Sequence, residues 1–393
     1  MDADASIWAA LADDAAARFG TPCYLSRWRP VESRIAALER QIACPVRSWL
    51  SFKTHPLPPL AAEWFRSGRG VEVTSEFELA AVTSAGCGLD GVLVNGVAKH
   101  TWLPRRTAAG LRVHFDSVVE VHELAGIAAR DSWRVGLRCH VPLEHDWKEP
   151  RFGGQFGLTP PEMRLVASRL AAAGVPVEGV HFHLGQSAHR SADYGESIDY
   201  VVEACRHAGL SPRYVDCGGG LHEGLDIDAA MSAVNAAMER ARRALPTIDE
   251  VWLENGRYVT QSSAALVVRV VDVKERPECR YLICDGGRTN QALDADNRAH
   301  PLVVVPERGG AAVLTTIAGP TCMTDDRLGR VMLPRAVQPN DLIVWLDAGA
   351  YQLPWETRFS RGLCAVVWAD GADGLSLARA PEAPEAWSRS WCA

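Results

Sequence analysis

Trp49-Leu50-Ser51-Phe52-Lys53-Thr54-His55-Pro56 decides how the rest of the chain is read. An apolar, β-prone run ends in a lysine, and a proline follows three residues later. A lysine where a buried strand meets a loop is costly unless something uses its amine. A lone strand-end lysine is ordinarily a snorkelling surface residue. The other reading is a Schiff-base lysine, which needs a sheltered amine able to lose its proton. The segments around it decide between the two.

Outward from Lys53 the pattern alternates. Val46–Phe52, Val71–Val73, Val92–Val94, Leu111–Phe115, Arg134–Val141, Val177–His183, Tyr214–Asp216 and Val251–Glu254 read as strands. Helical spacing falls between most of them. Leu60–Phe65 and Phe77–Ser84 are examples, the latter closed by Gly86. Another helix opens on Thr159 with Pro160, Pro161 and Glu162 in its first turn, and one over Ser191–His207 is stopped by Gly209. Eight strands alternating with helices predict an α/β fold, a (β/α)8 barrel. Lys53, Arg138, His183, Asp216 and Glu254 stand at strand ends, the face on which such barrels carry their sites.

From about Gln261 the style changes to short β-rich runs: Ala265–Val273, Tyr281–Cys284, Ala312–Ile317, Leu342–Leu346 and Gly362–Trp368. The expected division is a barrel over residues 25–260, with 1–24 and 261–393 forming a β-sandwich or barrel-like domain. The tail beyond Ala380 reads as irregular. A net charge of −7 and no long basic run give no reason to expect nucleic acid, and no apolar run is long enough for a membrane span. The eleven cysteines are scattered without a C-x-x-C pair, and the acidic start lacks the basic residues of a signal peptide. Reduced thiols in a cytoplasm are the expectation.

The motifs carry the chemistry. His181 and His183 are two apart, so on one face of a strand. A metal pair needs further ligands at suitable spacing, and the absence of such spacing argues for no metal. Asp216-Cys217-Gly218-Gly219-Gly220 follows a strand, and its glycines let backbone N–H groups approach an anion. Glu254-Asn255-Gly256-Arg257 offers a carboxylate, a turn glycine and a guanidinium. Gly319-Pro320-Thr321-Cys322, Asp326 and Gly349-Ala350-Tyr351 lie in the β region.

Together with Gly70-Val71-Glu72-Val73-Thr74-Ser75, Glu78-Leu79, Asn95-Gly96, Lys99, Asp285-Gly286-Gly287 and Phe359, these motifs in this order resemble one family. It is the alanine-racemase-fold (fold type III) pyridoxal-phosphate (PLP) decarboxylases, the diaminopimelate, ornithine and arginine decarboxylase group. The resemblance spans about Thr21 to Trp368. It implies that Lys53 holds pyridoxal 5'-phosphate as an internal aldimine and that His183 stacks on the ring. It implies a phosphate held by Gly218, Gly219, Gly220, Gly256 and Arg257, with Tyr351 reaching it from the other domain. Glu254 would pair with the pyridine nitrogen, and Arg138 would lie near the ring. Cys322, from the partner subunit of a homodimer, would be the proton donor. Alanine racemases set an arginine against that nitrogen, so Glu254 argues for decarboxylation, which proceeds through an external aldimine and a quinonoid.

The departures fall where the family reads its substrate. Met323 stands where the diaminopimelate enzymes have Glu and the ornithine enzymes Asp. Asn290-Gln291-Ala292-Leu293 lacks the arginine that holds a distal carboxylate, and the ornithine branch's acid falls near Asn297. Gln155-Phe156-Gly157 replaces Lys-Phe-Gly, Asn255 replaces a proline, and Gln186 replaces a serine. The resemblance therefore implies an amino-acid decarboxylase with a non-standard substrate, modified or carrier-tethered, of the secondary-metabolism type. Its pocket is expected to involve Met323, Asp326, Arg298 and Tyr351. The alternatives are a primary-metabolism diaminopimelate or ornithine/lysine decarboxylase, or a catalytically silent binding protein.

Overall fold

The computed structural model describes residues 3–142, 154–185, 190–293, 300–371 and 374–392. The chain divides into two compact units, Glu32–Tyr258 and Met1–Val31 with Val259–Ala393.

In the second unit, a helix over Ala3–Phe19 leads into β1 (Cys23–Ser26). The first unit is a closed barrel of eight parallel strands: β2 (Val46–Ser51), β3 (Gly70–Val73), β4 (Val92–Val94), β5 (Arg112–Phe115), β6 (Arg134–Arg138), β7 (Val177–His181), β8 (Tyr214–Asp216) and β9 (Glu250–Asn255). β2 closes the ring by pairing with β9, Trp49 opposite Glu254. The predicted strands are all present. Three end earlier than the apolar runs suggested, at Ser51, Arg138 and His181. Lys53 thus sits on a single 3-10 turn over Phe52–Thr54, and His183 lies two residues past β7.

Local chemistry fixes the helices between the strands. Ser75 and Ser117 cap the helices Glu76–Ser84 and Val118–Arg130, each accepting an N–H at 3.2 Å. Thr159 and Glu162 form a reciprocal capping box before Pro160–Ala172. Gly209 ends Ala192–Ala208 in the left-handed region.

The barrel interior is filled with rings. Tyr214 lies flat on Trp252, centroids 3.4 Å apart, and Trp252 meets Trp49 at 5.0 Å. His114 stacks on His181 at 5.1 Å and approaches Tyr214. Glycines on neighbouring strands make room. A Cβ on Gly70 would stand 2.2 Å from the Trp49 ring, one on Gly179 2.0 Å from Tyr214, and one on Gly136 2.5 Å from His114. Each glycine is matched to one ring, which is how five large side chains fit inside eight strands.

The other unit builds a nine-stranded sheet from β1 with β10 (Ala264–Glu275), β11 (Arg280–Cys284), β12 (Leu302–Val305), β13 (Ala312–Ala318), β14 (Arg327–Pro334), β15 (Leu342–Trp345), β16 (Ala365–Gly371) and β17 (Gly374–Arg379). β1 lies between β10, antiparallel, and β16, parallel. Trp8, Ala12 and Ala15 of the first helix pack on Cys23, Leu25, Val267, Val344 and Val367. β12, β14 and β17 escape the apolar-run reading. β12 and β17 are short, and β14 (RLGRVMLP) alternates exposed and buried residues. The tail is not wholly irregular: Pro384 opens a short helix, Pro384–Arg389.

Gly179→Ala drives a methyl into the Tyr214 ring and is expected to cost about 1–3 kcal/mol. Urea denaturation measures the loss, and adding Tyr214→Leu should recover part of it by freeing the space.

Candidate active site

The carboxyl ends of the barrel strands gather the polar residues onto one rim. Lys53 Nζ donates to Glu72, at the β3 end, at 2.6 Å; Glu72 is buried and Lys53 about one-third exposed. Burying one acid against one ammonium keeps an amine at this point of the barrel without stranding its charge. Arg138, ending β6, donates to Asp116 at 3.3 Å, and its guanidinium lies 4.4 Å over the Phe156 ring. Asp116 also accepts the Gly157 N–H at 3.2 Å, so one carboxylate ties two loops to the β6 end.

Below this pair is a fully buried ion pair. Lys99 Nζ meets Glu120 at 2.8 Å and also donates to the Gly96 carbonyl. Glu120 accepts the N–H groups of Lys99 and Asp116 at 2.9 and 2.8 Å. Burial pushes Lys99 below the usual lysine range, and Glu120 opposes that.

His183 accepts the Gly185 N–H on Nδ1 at 2.9 Å, which leaves Nε2 to carry the ring proton. Burial, with Arg138 and Lys53 nearby, lowers its pKa to about 3, so it is a neutral flat ring at working pH. It lies beside the glycine turn: a Cβ on Gly219 would stand 3.3 Å from His183 Nε2 and 2.9 Å from the Glu254 carbonyl.

The turn after β8 is shaped for close approach. Gly218 and Gly220 hold positive φ, +62° and +99°. A Cβ on Gly218 would reach 2.4 Å from the Phe182 carbonyl, and one on Gly256 2.9 Å from Thr54 Oγ1. Tyr194 pins the turn by donating to the Gly219 carbonyl at 2.9 Å. The expected anion role needs one correction. The Gly218 N–H donates to Asp216 at 2.9 Å, so Gly218 shapes the turn and does not offer its amide. Among the described residues the Gly219 and Gly220 amides donate to no group, which leaves two N–H groups in a turn that only glycines fit.

Glu254 is buried and accepts from Asn95 Nδ2, with His181 Nε2 3.3 Å away. Burial, then Asp216 and Glu72, push its pKa well above the carboxylate range. Burial likewise pushes Asp216 up to about 7. A ring nitrogen of His114, one of His181 and an oxygen of Glu254 lie within 4.8 Å of one another. The Asn95 hydrogen bond already uses the Glu254 oxygen, and we assign no metal there.

The structure thus brings Lys53, Arg138, His183, Gly218, Gly219, Gly220, Glu254, Gly256 and Arg257 to one rim, with Arg257 buried at the start of the short helix Arg257–Thr260. Glu72, Asn95 and Asp216 belong there too, although no role was read for them. A charged residue inside the strand Gly-Val-Glu-Val was the signal for Glu72. His114 gave no signal, since one histidine on a short strand is unremarkable before the barrel closes.

The remaining residues lie in the sheet unit. Cys322 is exposed and Met323 half-buried. Asp326 is buried and accepts the Thr321 N–H and hydroxyl at 2.9 and 2.5 Å and the Arg288 N–H at 2.7 Å. It organises the turn that presents Cys322 through these bonds. Tyr351 holds a positive φ of 63°, a costly conformation for a tyrosine. Arg298 lies outside the described residues.

Glu120→Gln strands the Lys99 ammonium in the barrel, and a loss of about 3–5 kcal/mol is expected. Chemical denaturation at neutral pH checks it.

Comparison with known proteins agrees with this geometry. A family described as "Pyridoxal-dependent decarboxylase, pyridoxal binding domain" matches residues 29–261, and its "C-terminal sheet domain" matches residues 257–349. A diaminopimelate decarboxylase of Deinococcus radiodurans is 28% identical over 95% of this chain and 97% of its own. An L-glutamyl-[BtrI acyl-carrier protein] decarboxylase of Niallia circulans is 27% identical over 86% of this chain and 85% of its own. A crystal structure of Helicobacter pylori diaminopimelate decarboxylase complexed with L-lysine superposes with a TM-score of 0.81 at 18% identity, covering 96% of this chain and 98% of that one. With its paired lysine, its glycine turn and its buried glutamate in place, the chain belongs to the pyridoxal-dependent decarboxylases, and its cofactor is pyridoxal phosphate.

Proposed function

We propose that this decarboxylase removes the α-carboxylate of an amino acid whose far end is uncharged, amide-linked or tethered to a carrier. The observation that carries this reading is Met323, an apolar residue beside the exposed Cys322. A buried ionic group of a substrate needs a paired charge, or desolvation opposes its binding. Met323 supplies none, and Ala292 stands where relatives that read a carboxylate carry arginine. The carrier-protein decarboxylase among the relatives supports the same direction.

Bound pyridoxal phosphate supplies an electron sink for the pair left on the α-carbon when carbon dioxide departs. In this reading Lys53 carries the cofactor covalently through its amine, and Glu72 holds that amine at the rim. The flat, neutral His183 supports one face of the ring. The Gly219 and Gly220 amides, with Gly256 and Arg257, would hold the phosphate. Glu254 would pair with the pyridine nitrogen, and Arg138 would lie near the ring. Cys322 gives the α-carbon its proton. Its exposure in the single chain fits a thiol that serves the neighbouring subunit of a homodimer.

Lys53→Ala should lose the borohydride-reducible adduct that the parent protein forms. Mixed with inactive Cys322→Ala, it should regain activity in heterodimers. An adduct at another lysine, or no rescue after verified subunit exchange, overturns the corresponding assignment.

Steady-state carbon dioxide release tests the substrate. Free diaminopimelate, lysine, ornithine and arginine should be poor. Neutral or carrier-tethered amino-acyl substrates should be favoured by about tenfold to a hundredfold, the worth of one mispaired group at roughly 1–3 kcal/mol. An efficiency of about 10⁴ M⁻¹s⁻¹ or more on diaminopimelate, normal for an enzyme on its own substrate, would return the chain to the activity named for its Deinococcus relative.

A further inference from the structure

Glu254 does not stand alone in the barrel. Behind it lies a line of buried polar groups that the reading above leaves unused. Tyr214 Oη is 3.0 Å from His114 Nε2, and His114 Nδ1 is 3.8 Å from Asp216 Oδ2. His181, stacked on His114, brings Nε2 to 3.3 Å from Glu254. Among the described residues four buried atoms of this group make no hydrogen bond: His114 Nδ1, both His181 ring nitrogens and Asp216 Oδ2. Buried polar atoms without partners are expensive, and so many at one place mark a group organised around protons.

We propose that Asp216 is a positioning residue for the reaction: linked to Glu254 through the stacked His114 and His181, it helps hold one proton on the two carboxylates behind the pyridine pocket, under the control of the Tyr214–His114 dyad. This rests on the reading that Glu254 faces the ring nitrogen.

The geometry supports it from several sides. The charged and titratable groups around Asp216 and Glu254 are Lys53, Glu72, His114, Arg138 and His181 from neighbouring elements and Tyr214 and Cys217 from the strand and turn of Asp216 itself. The two cations are already paired, Lys53 with Glu72 and Arg138 with Asp116. Asp216 and Glu254 therefore cannot both be ionised in a dry interior at moderate cost. Burial raises both, Asp216 to about 7 and Glu254 well above its ordinary value. It lowers His114 to about 3 and His181 well below its ordinary value, so the imidazoles stay neutral. Burial keeps the Tyr214 hydroxyl protonated, so it can donate to His114 Nε2 and leave the His114 proton on Nδ1, facing Asp216. Gly136 and Gly179 give up their side chains to seat this dyad. With one proton the pair carries one negative charge. When it gives that proton to the ring nitrogen, the pair gains one negative charge, the nitrogen gains one positive charge, and the total is unchanged.

Asp216→Asn is the discriminating variant, because the asparagine oxygen can still accept the Gly218 N–H while the charge is lost. Removing that charge lowers the proton affinity of Glu254 and of the ring nitrogen opposite. In the chain without cofactor, the infrared band of a protonated carboxyl should be present at neutral pH and be lost, or titrate at lower pH, in the variant. In the holoenzyme, the alkaline limb of kcat and the alkaline change in cofactor absorbance should move acidward by about one pH unit or more, a tenfold change in proton affinity. His114→Phe keeps a ring in the stack but removes the proton facing Asp216, so it should move both midpoints the other way. It keeps the test open if Asp216→Asn does not fold. A uniform fall in kcat with unmoved midpoints and an unchanged infrared band overturns the proposal. Glu254→Gln separates the two readings. If it leaves the absorbance titration unchanged, the placement of Glu254 is wrong. If it shifts the titration while Asp216→Asn and His114→Phe do not, only the inference about Asp216 falls.

Discussion

Taking charge out of water is the constraint on which the barrel depends. Its rim and interior hold Lys53, Glu72, Lys99, Asp116, Glu120, Arg138, Asp216 and Glu254, all buried or partly so. Three of the acids meet a cation: Lys53–Glu72 at 2.6 Å, Lys99–Glu120 at 2.8 Å and Arg138–Asp116 at 3.3 Å. A buried pair is weak evidence of stability, since desolvation consumes much of its attraction. Its clearer effect here is positional. Glu120 takes the amides of Lys99 and Asp116, and Asp116 takes Arg138 and Gly157, so one chain of contacts fixes three loops on the site face.

Asp216 and Glu254 are the exceptions: among the described residues neither stands in a salt bridge with a lysine or arginine, and their near neighbours are His114 and His181. In the proposed reading they would serve the cofactor's basic ring nitrogen, which is to be kept protonated. The ring stack of Trp49, Trp252, Tyr214, His114 and His181 fills the space beneath and keeps it dry. Dryness strengthens any charge interaction there, and it makes any unshared charge costly. Structure and chemistry thus draw on the same property of the barrel interior.

The sheet unit follows a different logic. Asp326 gathers backbone and hydroxyl donors from two turns, and Gly287 and Gly319 lie so close to it that a Cβ would stand 2.2 and 2.3 Å from its oxygens. The turn bearing Cys322 is therefore held in place by Asp326. Met323, beside it, is half-buried and apolar. Relatives below 30% identity include enzymes named for a free diamino acid and for a carrier-bound glutamyl group.

Much of this was legible from the residues. The barrel followed from eight β-prone runs between Val46 and Glu254, because each strand buries its own apolar segment and each helix carries local caps such as Ser75, Ser117 and Thr159. Lys53, His183, the three glycines and Glu254 stood out because each is a polar or conformationally special residue at a strand end. The small strands β12, β14 and β17 did not stand out, since they are short or half-exposed and take their stability from neighbours distant in sequence. Neither the Asp216–His114–Tyr214 line nor the use of the Gly218 amide by Asp216 was readable. Hydrogen bonds between strands depend on which residues the closed ring places face to face, and no local pattern encodes that. The sequence by itself determined the element order of the barrel and the strand-end chemistry, and through its motifs the resemblance that implied the cofactor. Only the tertiary structure decided which acids share a dry interior, and so which of them can hold a proton at neutral pH.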